Sequence, residues 1–391
     1  MDIFSDSSWR EAFELVISTE RFGPFTLTAN VDLQAIELLF RRVEDAQARF
    51  RGSPLAQVAN DLEREVVVSS VVGTNTIEGG ELTIEQTQLA FELDPETVQE
   101  EQQRRVVNIK AAYDLAKNMA SKPGWQPDVE YVKDLHRLIT LGVSDSHNIP
   151  GQLRDNPKNT VTRVGDTEHG GIYKPPQNGR DIAELLKALL VWNASMAERG
   201  IPALIRAPLC HVYFELIHPF WDGNGRVGRV LEASILMADG FRYAPFAQAN
   251  YYLQHIHRYF SLFNQCRKHA DNTAFVAFFL QGMLDSINRL HSRVNNLVSL
   301  LLFRNHLRTL LEEKLINARQ YALAVEVLNH GTPLPVSKLR NGAWYQALYS
   351  KLTSKTAQRD LRQLREKKLV LLDAENRLWP GCVEADVELL D

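Results

Sequence analysis

Apolar side chains recur at helical spacing along most of the chain. Between about residues 31 and 93 they fall three and four positions apart, as at Leu33, Ile36 and Leu39, which places them on one face of a helix. The same spacing predicts helices at 99–120, 127–142, 180–199, 204–217, 226–239, 250–266 and 272–313. Residues 1 to about 30 mix aromatic side chains with turn formers and predict a loosely docked arm. The pattern as a whole predicts a mainly α protein.

One segment in the middle of the chain departs from this pattern. Between about 143 and 178, Gly, Pro, Asn and Asp are frequent, and the β-prone stretches 160–164 and 171–173 flank the turn-like pair Gly165-Asp166. Such an arrangement is typical of a small hairpin. It forms either a flap over a site or a plain surface hairpin.

The last part of the chain changes character again. A helix is predicted at about 313–330, and the next three residues, Gly331-Thr332-Pro333, interrupt it. Further short helices are predicted at 336–341, 344–349 and 354–364, and β-prone stretches follow at 369–372 and 377–379. In the 354–364 helix, Ala357, Leu361 and Leu364 share the inner face.

Composition sets broad limits. The 391 residues are 45% hydrophobic and 24% charged, values typical of a soluble protein, and the net charge of −4 argues against wholesale binding to nucleic acid. The sequence has no run of 18 apolar residues, so no membrane association is expected. Its three cysteines, Cys210, Cys266 and Cys382, are far apart, which favours a reducing cytoplasm over a disulfide framework or a zinc site.

Residues 218–229, HPFWDGNGRVGR, contain a loop suited to binding phosphate. Around Gly223, Asn224 and Gly225 the backbone can adopt conformations that larger side chains disfavour, so successive N–H groups can point at an anion. The apolar pattern resumes at Val227, which predicts a helix just after the loop. The N-terminus of a helix favours a phosphate because its first N–H groups lack partners inside the helix.

Charged side chains surround this loop. Arg226 and Arg229 are three residues apart, so they lie on one face of the first helical turn, and two guanidinium groups suit a polyphosphate. Asp222 can hold Mg²⁺, which commonly accompanies nucleotide phosphates. Histidine is the side chain best suited to accepting a proton near neutral pH, which makes His218 a candidate general base.

The whole segment resembles the signature of Fic-domain proteins, His-Pro-Phe-x-(Asp/Glu)-Gly-Asn-Gly-Arg-x-x-Arg, at every specified position. In that family the motif transfers AMP from ATP to a hydroxyl of a target protein. The resemblance implies that His218 activates the hydroxyl and that Asp222 binds Mg²⁺, and it implies a helical Fic bundle with a small β-hairpin flap. The predicted ATP-binding residues of the motif are Gly223, Asn224, Gly225, Arg226, Val227, Gly228 and Arg229.

This resemblance changes the interpretation of a second segment. Taken alone, residues 74–79, TNTIEG, predict only a helix C-terminus with an exposed glutamate. Many Fic proteins carry an inhibitory helix with the pattern (Ser/Thr)-x-x-x-Glu-(Gly/Asn), which Thr74, Glu78 and Gly79 match. The resemblance implies that Glu78 pairs with Arg229 and blocks the place of the γ-phosphate.

Further residues are candidates for binding ATP or the target. Residues 150–154, PGQLR, also resemble a Fic segment, and the flap residues Ile172 and Tyr173 can pair edge-on with a target. Tyr251 and Tyr252 either stack on adenine or pack in the core. His211 is expected to be a packed helix residue rather than a second base.

These observations predict three domains: an N-terminal helical region (1–98) with the inhibitory helix at about 61–80, a Fic core (99–313), and a winged helix-turn-helix-like domain (314–391). Lys355, Arg359, Arg362 and Arg365 make residues 354–368 a candidate DNA-binding surface. However, residues 333–391 hold ten Lys and Arg against eight Asp and Glu, so a docking or dimerisation domain is the alternative.

Two functions follow from these features. The first is an Mg²⁺-dependent protein adenylyltransferase that uses ATP, modifies a Ser, Thr or Tyr hydroxyl and is autoinhibited by Glu78. The second is a DNA-binding transcriptional regulator in which the Fic fold senses nucleotide. Intact His218 and Asp222 favour the enzyme, because a sensor needs no base. A symmetric homodimer is the expected assembly.

Overall fold

The computed structural model describes residues 3–5, 9–54, 58–93, 97–143 and 147–382. Contacts divide the chain into two compact units: Met1–Ser53 with Ala59–His291, and Pro54–Val58 with Ser292–Asp391. No helix in the described ranges has both the length and the apolar character needed to cross a bilayer.

Where the structure describes it, the first unit consists mainly of helices, with a two-stranded hairpin near its N-terminus. Its elements are α1 (Trp9–Ala12), β1 (Leu15–Ser18), β2 (Pro24–Leu27), α2 (Leu33–Arg51), α3 (Ala59–Ile77), α4 (Ile84–Ala90), α5 (Glu101–Ala120), α6 (Val129–Thr140), α7 (Gly179–Glu198), α8 (Ala203–Ile217), α9 (Asn224–Ala238), α10 (Ala244–Gln254) and α11 (Ile256–His269). The long helix α12 (Thr273–Glu312) begins in this unit and ends in the second.

Helix α8 lies at the centre of the first unit. Nearly all of its side chains are buried, as expected for a helix that is apolar on every face. It packs against α7, α9 and α11, while α9 also contacts α5 and α6. These contacts fix the end of α8 and the start of α9, between which the motif loop lies.

The N-terminal segment is not the loosely docked arm that its composition suggested. Strands β1 and β2 pair antiparallel, and the side chains of Trp9, Phe13 and Phe25 are buried. The Trp192 indole N–H donates to Phe13 O at 2.8 Å, and Phe25 packs edge-on against Tyr213. Apolar contacts with α7 and α8 therefore hold this segment in place.

Two other predictions need correction. The predicted helix 250–266 is two helices, α10 and α11, because His255 between them has a non-helical backbone (φ −121°, ψ 36°). The predicted hairpin contains one bridge, between Val164 and Tyr173. Positive φ angles at Gly165, Gly170 and Gly171 turn the intervening backbone away from a regular ladder.

The second unit combines short helices with a small sheet. Its elements are α13 (Ala318–Asn329), β3 (Leu334–Pro335), α14 (Val336–Asn341), α15 (Ala343–Tyr349), α16 (Ser354–Glu366), β4 (Val370–Leu372) and β5 (Arg377–Pro380). The antiparallel sheet has the order β3-β5-β4. Leu323 of α13, Leu364 of α16 and Leu378 of β5 are buried in the same apolar cluster.

Candidate active site

The motif begins with an abrupt end to α8. His218 caps this helix in the left-handed conformation (φ 49°, ψ 64°), and its N–H donates to Phe214 O at 2.9 Å. A left-handed backbone is unfavourable for a residue with a Cβ. Surrounding contacts must therefore hold His218 in this position.

Arg154 supplies those contacts. This fully buried side chain donates from Nε to His218 O at 2.6 Å and from Nη2 to Ile217 O at 3.3 Å. Nη2 also donates to Pro176 O at 2.5 Å, and Nη1 donates to Asn156 Oδ1 at 2.7 Å. Burial lowers the pKa of Arg154 to about 10, so the guanidinium stays charged at neutral pH.

A side-chain brace closes the loop that follows. Asn224 Oδ1 accepts from Phe220 N–H at 2.9 Å, and Asn224 Nδ2 donates to Phe220 O at 2.8 Å. The Phe220 ring is stacked on His136 at 3.8 Å. Because the Asn224 amide is used within the loop, only the backbone of Asn224 is placed to meet a phosphate.

Glu215 was not predicted as a site residue but lies beside His218. Its Oε2 is 3.7 Å from His218 Nδ1, one turn earlier on α8. Burial acts to raise the pKa of Glu215, but His218, His211 and Arg229 outweigh it, so this pKa is below its usual value. In the sequence, the signal that could have identified Glu215 is its position three residues before the motif histidine, His218.

Glu78 and Arg229 form an ion pair although they are 151 residues apart. Glu78 Oε1 lies 2.7 Å from Arg229 Nη2, which also donates to Thr74 O at 3.2 Å. Burial acts to lower the pKa of Arg229, but Glu78 more than offsets it, so this pKa is above its usual value. Gly79 ends the segment with a φ of 78°, and Thr74 is buried against Tyr113.

The Glu78 carboxylate also covers the motif loop. A Cβ built on Gly225 would lie 2.4 Å from Glu78 Oε1 and 3.1 Å from Arg229 Nη1. A side chain at this position would therefore displace the carboxylate from where it lies. Glu78 therefore occupies the space directly above the N-terminus of α9.

A second ion pair joins Asp222 to Arg226. Arg226 Nη2 lies 2.6 Å from Asp222 Oδ2. Burial acts to raise the pKa of Asp222, but Arg226 outweighs it, so this pKa is below its usual value. Arg226 is 2% exposed, and its Nε and Nη1 are buried without hydrogen-bond partners.

Asp222 fits the requirements of a Mg²⁺ ligand. Its carboxylate is ionised at neutral pH and its side chain keeps 35% of its exposure. Mg²⁺ prefers oxygen ligands and is often held by one or two carboxylates together with phosphate oxygens. One accessible carboxylate at the edge of a phosphate loop meets that description.

A cavity of about 300 Å³ opens beside these groups. The motif and its neighbours contribute Glu78, Glu215, His218, Gly225 and Arg229 to its lining. Its other walls come from 164–173 and from α11, with the side chains of Asp166, His169, Tyr173, Tyr259, Phe260, Phe263, Asn264 and Arg267. The α11 residues were not predicted as site residues, since their aromatic spacing on a helix is equally typical of core packing.

Tyr251 and Tyr252 do not line this cavity. They are 4% and 0% exposed, and Tyr252 is stacked on Tyr259 while its hydroxyl donates to Glu232. The predicted stacking on adenine is therefore corrected to core packing. His211 is also buried, and its Nδ1 lies 2.7 Å from Glu232 Oε2, as expected for a packed helix residue.

The other predicted site residues differ from one another in their burial and contacts. Val227 is buried in the core, and Gly228 lets α9 approach α8, since a Cβ there would lie 2.7 Å from Glu215 Oε1. Ile172 is 56% exposed. Tyr173 lines the cavity beneath Arg267, whose guanidinium lies 5.0 Å from the ring centre.

Parts of the chain are similar in sequence to known proteins. Residues 126–236 match the Fic/DOC family. The chain is 26% identical over 208 residues to the protein adenylyltransferase fic-1 of Caenorhabditis elegans, covering 52% of this chain and 38% of that protein. It is 35% identical over 84 residues to a probable protein adenylyltransferase of Aquifex aeolicus, covering 22% of this chain and 25% of the relative. The chain thus spans well under half the length of either curated relative.

Solved structures show the same fold. A Fic family protein from Desulfovibrio desulfuricans superimposes with a TM-score of 0.56 at 20% identity, covering 88% of this chain and 95% of that one. Fic-1 from C. elegans superimposes with a TM-score of 0.51 at 23% identity, covering 68% and 74%. The motif therefore lies inside the segment, residues 126–236, that is similar to the Fic/DOC family, and the solved structures share the fold around it.

Proposed function

We propose that this protein transfers AMP from ATP to the hydroxyl of a Ser, Thr or Tyr residue in a target protein. The observation that carries the proposal is the joint placement of His218, Gly225 and Arg229 around one cavity. This set provides a base, a phosphate loop and a cation for the terminal phosphates. The curated relatives named as protein adenylyltransferases support the same chemistry.

In this reaction His218 removes the proton from the target hydroxyl. Its Nδ1 faces Glu215, so an Nδ1–H tautomer leaves Nε2 free to accept that proton. The hydroxyl oxygen then attacks the α-phosphorus, the bond from that phosphorus to the bridging oxygen breaks, and pyrophosphate leaves. The developing negative charge lies near the N-terminus of α9, which favours anions.

The two arginines position the nucleotide. Arg229 would bind the γ-phosphate once Glu78 moves away, and Arg226, which pairs with Asp222, would contribute positive charge beside the β-phosphate. Asp222 would hold Mg²⁺, which neutralises phosphate charge and stabilises the leaving group when it is bound. Most of the rate then comes from alignment and charge stabilisation.

We further propose that Glu78 inhibits this activity within the chain. Its carboxylate neutralises Arg229, occupies the space above Gly225, and repels the γ-phosphate. ATP bound beside it would have its α-phosphate out of line with the attacking hydroxyl.

The Glu78→Gly variant tests both proposals. AMP transfer to proteins of a cell lysate should rise by about 5–150-fold over wild type, the range of a typical coupling free energy. The measurement is incorporation of label from ATP labelled at the α-phosphate. Glu81→Gly, the same change at an exposed position three residues later, should match wild type. An active Glu78→Gly variant no faster than wild type would contradict autoinhibition, and no transfer by any variant would contradict the enzyme.

We also infer that the second unit is a winged helix, because α16 leads directly into the β4–β5 hairpin and β3 completes the sheet. Lys355, Arg359 and Arg362 are exposed on α16. This exposed charge supports the alternative function, a DNA-binding regulator whose Fic domain senses nucleotide.

A DNA-binding assay tests that alternative. If the second unit binds DNA, duplex DNA should shift in a gel, with affinity that falls as salt rises. Replacing Arg359 and Arg362 by alanine should remove the shift and leave AMP transfer unchanged. A shift that the double variant retains, or that salt does not weaken, would exclude this surface as the DNA site.

A further inference from the structure

Three side chains with metal-binding atoms meet at the rim of the cavity. His169 Nε2 lies 3.0 Å from His257 Nδ1, and His257 Nδ1 lies 3.4 Å from Glu168 Oε1. All three atoms lie within 4.8 Å of one another. Glu168 and His169 belong to the loop 164–173, here called the flap, whereas His257 belongs to the first turn of α11.

These separations suit a small divalent ion. In tetrahedral zinc sites the metal lies about 2.0–2.2 Å from nitrogen and oxygen ligands, which places neighbouring ligand atoms roughly 3.3–3.5 Å apart. The two measured distances are close to that spacing. Two imidazoles and one carboxylate favour zinc or a related transition metal over Mg²⁺ or Ca²⁺.

Asp166 holds His169 in the orientation that a ligand needs. Both Asp166 carboxylate oxygens lie within 2.9 Å of His169 Nδ1, so Nδ1 carries the proton and the Nε2 lone pair faces His257. A carboxylate behind a ligating histidine is a common feature of zinc sites. His169 is also 9% exposed, so its ring is fixed in this position by packing.

We propose that Glu168, His169 and His257 form a Zn²⁺ site that ties the flap to α11. The ion would take Oε1, Nε2 and Nδ1 as ligands and keep a water in the fourth position. Binding replaces the hydrogen bond between the two imidazoles, and the proton on His257 Nδ1 moves to Nε2 of the same ring, so His257 binds the ion as a neutral imidazole. The ion would thereby restrain Tyr173 and the rest of the cavity wall that the flap provides.

The restraint acts on the surface expected to hold the target, and that consequence rests on the proposed AMP transfer. The metal site itself does not. Its test needs neither ATP nor a target protein, so its failure would leave the proposed enzyme activity untouched.

Zinc binding to the full chain tests the site directly. After removal of metal by dialysis, titration with Zn²⁺ against a chromophoric chelator should show one tight site per chain. His257→Gln changes an exposed ligand and should weaken binding by more than about tenfold, and Asp166→Asn by about 10–100-fold. His269→Gln, an exposed histidine at the end of the same helix, should bind as wild type does. Equal affinity of wild type and His257→Gln would overturn the proposal.

Amide hydrogen exchange provides a second measurement. Zn²⁺ should slow exchange across residues 164–173 in wild type and in His269→Gln, but not in His257→Gln. Equal slowing in all three proteins would place the ion elsewhere and contradict the site.

Discussion

Replacing His218 by alanine in the Glu78→Gly background is expected to lower AMP transfer by about 10²–10⁴-fold, the usual contribution of a positioned general base. His218 faces the cavity, and Glu215 lies 3.7 Å from its Nδ1. Among the described residues that line the cavity, the other imidazole belongs to His169, and Asp166 already binds its Nδ1.

The measurement compares label transfer with nucleotide binding. Label from ATP should no longer reach the target, whereas ATP affinity measured by calorimetry should stay within about twofold, because the base acts on the hydroxyl and not on the phosphates. His269→Ala in the same background is the matched control and should retain full transfer. Equal loss of ATP affinity and transfer would mean that His218 serves binding rather than proton removal.

Replacing Arg154 by leucine is expected to have the largest effect on stability. The change leaves the carbonyls of Ile217, His218 and Pro176 without the donors that they have now. Hydrogen bonds to a charged group contribute about 1.5–3 kcal/mol each. We therefore expect the free energy of unfolding to fall by at least about 3 kcal/mol. For a unit of this size the melting temperature should fall by roughly 5 °C.

Calorimetric melting of wild type, Arg154→Leu, Arg154→Lys and Arg163→Leu measures this effect. Arg163 is exposed in the neighbouring segment, so its replacement should leave the melting temperature unchanged. Lysine keeps the charge but lacks the planar fork of N–H donors with which Arg154 reaches four acceptors. Arg154→Lys should therefore restore only part of the lost melting temperature. An Arg154→Leu protein that melts within about 2 °C of wild type would contradict the anchoring role, on the same stability scale.

AMP transfer in the Glu78→Gly background should fall with Arg154→Leu, because the His218 backbone loses its support.

The sequence predicted the secondary structure well wherever contacts between residues near one another in the chain determine it. The helices α5, α7, α8 and α9 follow from apolar spacing, and the short helices of the second unit follow from their breakers and turns. The N-terminal segment was misjudged because its aromatic side chains acquire partners only from α7 and α8. Helices α10 and α11 were read as one because both sides of His255 carry apolar residues at helical spacing.

The cavity shows why some site residues could not be predicted. Tyr251 and Tyr252 were candidates for adenine stacking, yet Phe260 and Phe263 of the next helix face the cavity. Both helices are rich in aromatic residues on more than one face, so spacing alone does not tell which face meets a ligand. The break at His255 turns one helix toward the core and the other toward the cavity.

By itself, the sequence determined the chemistry of the motif, because residues 218–229 hold a base, a carboxylate, a glycine loop and two arginines within one stretch of chain. Only the tertiary structure decided what surrounds that stretch. It places Glu78 against Arg229 across 151 residues, and Arg154 beneath His218 across 64. It also joins the flap to α11 through His169 and His257. Such contacts depend on how helices pack, and packing sums many weak apolar interactions that no single segment of the chain records.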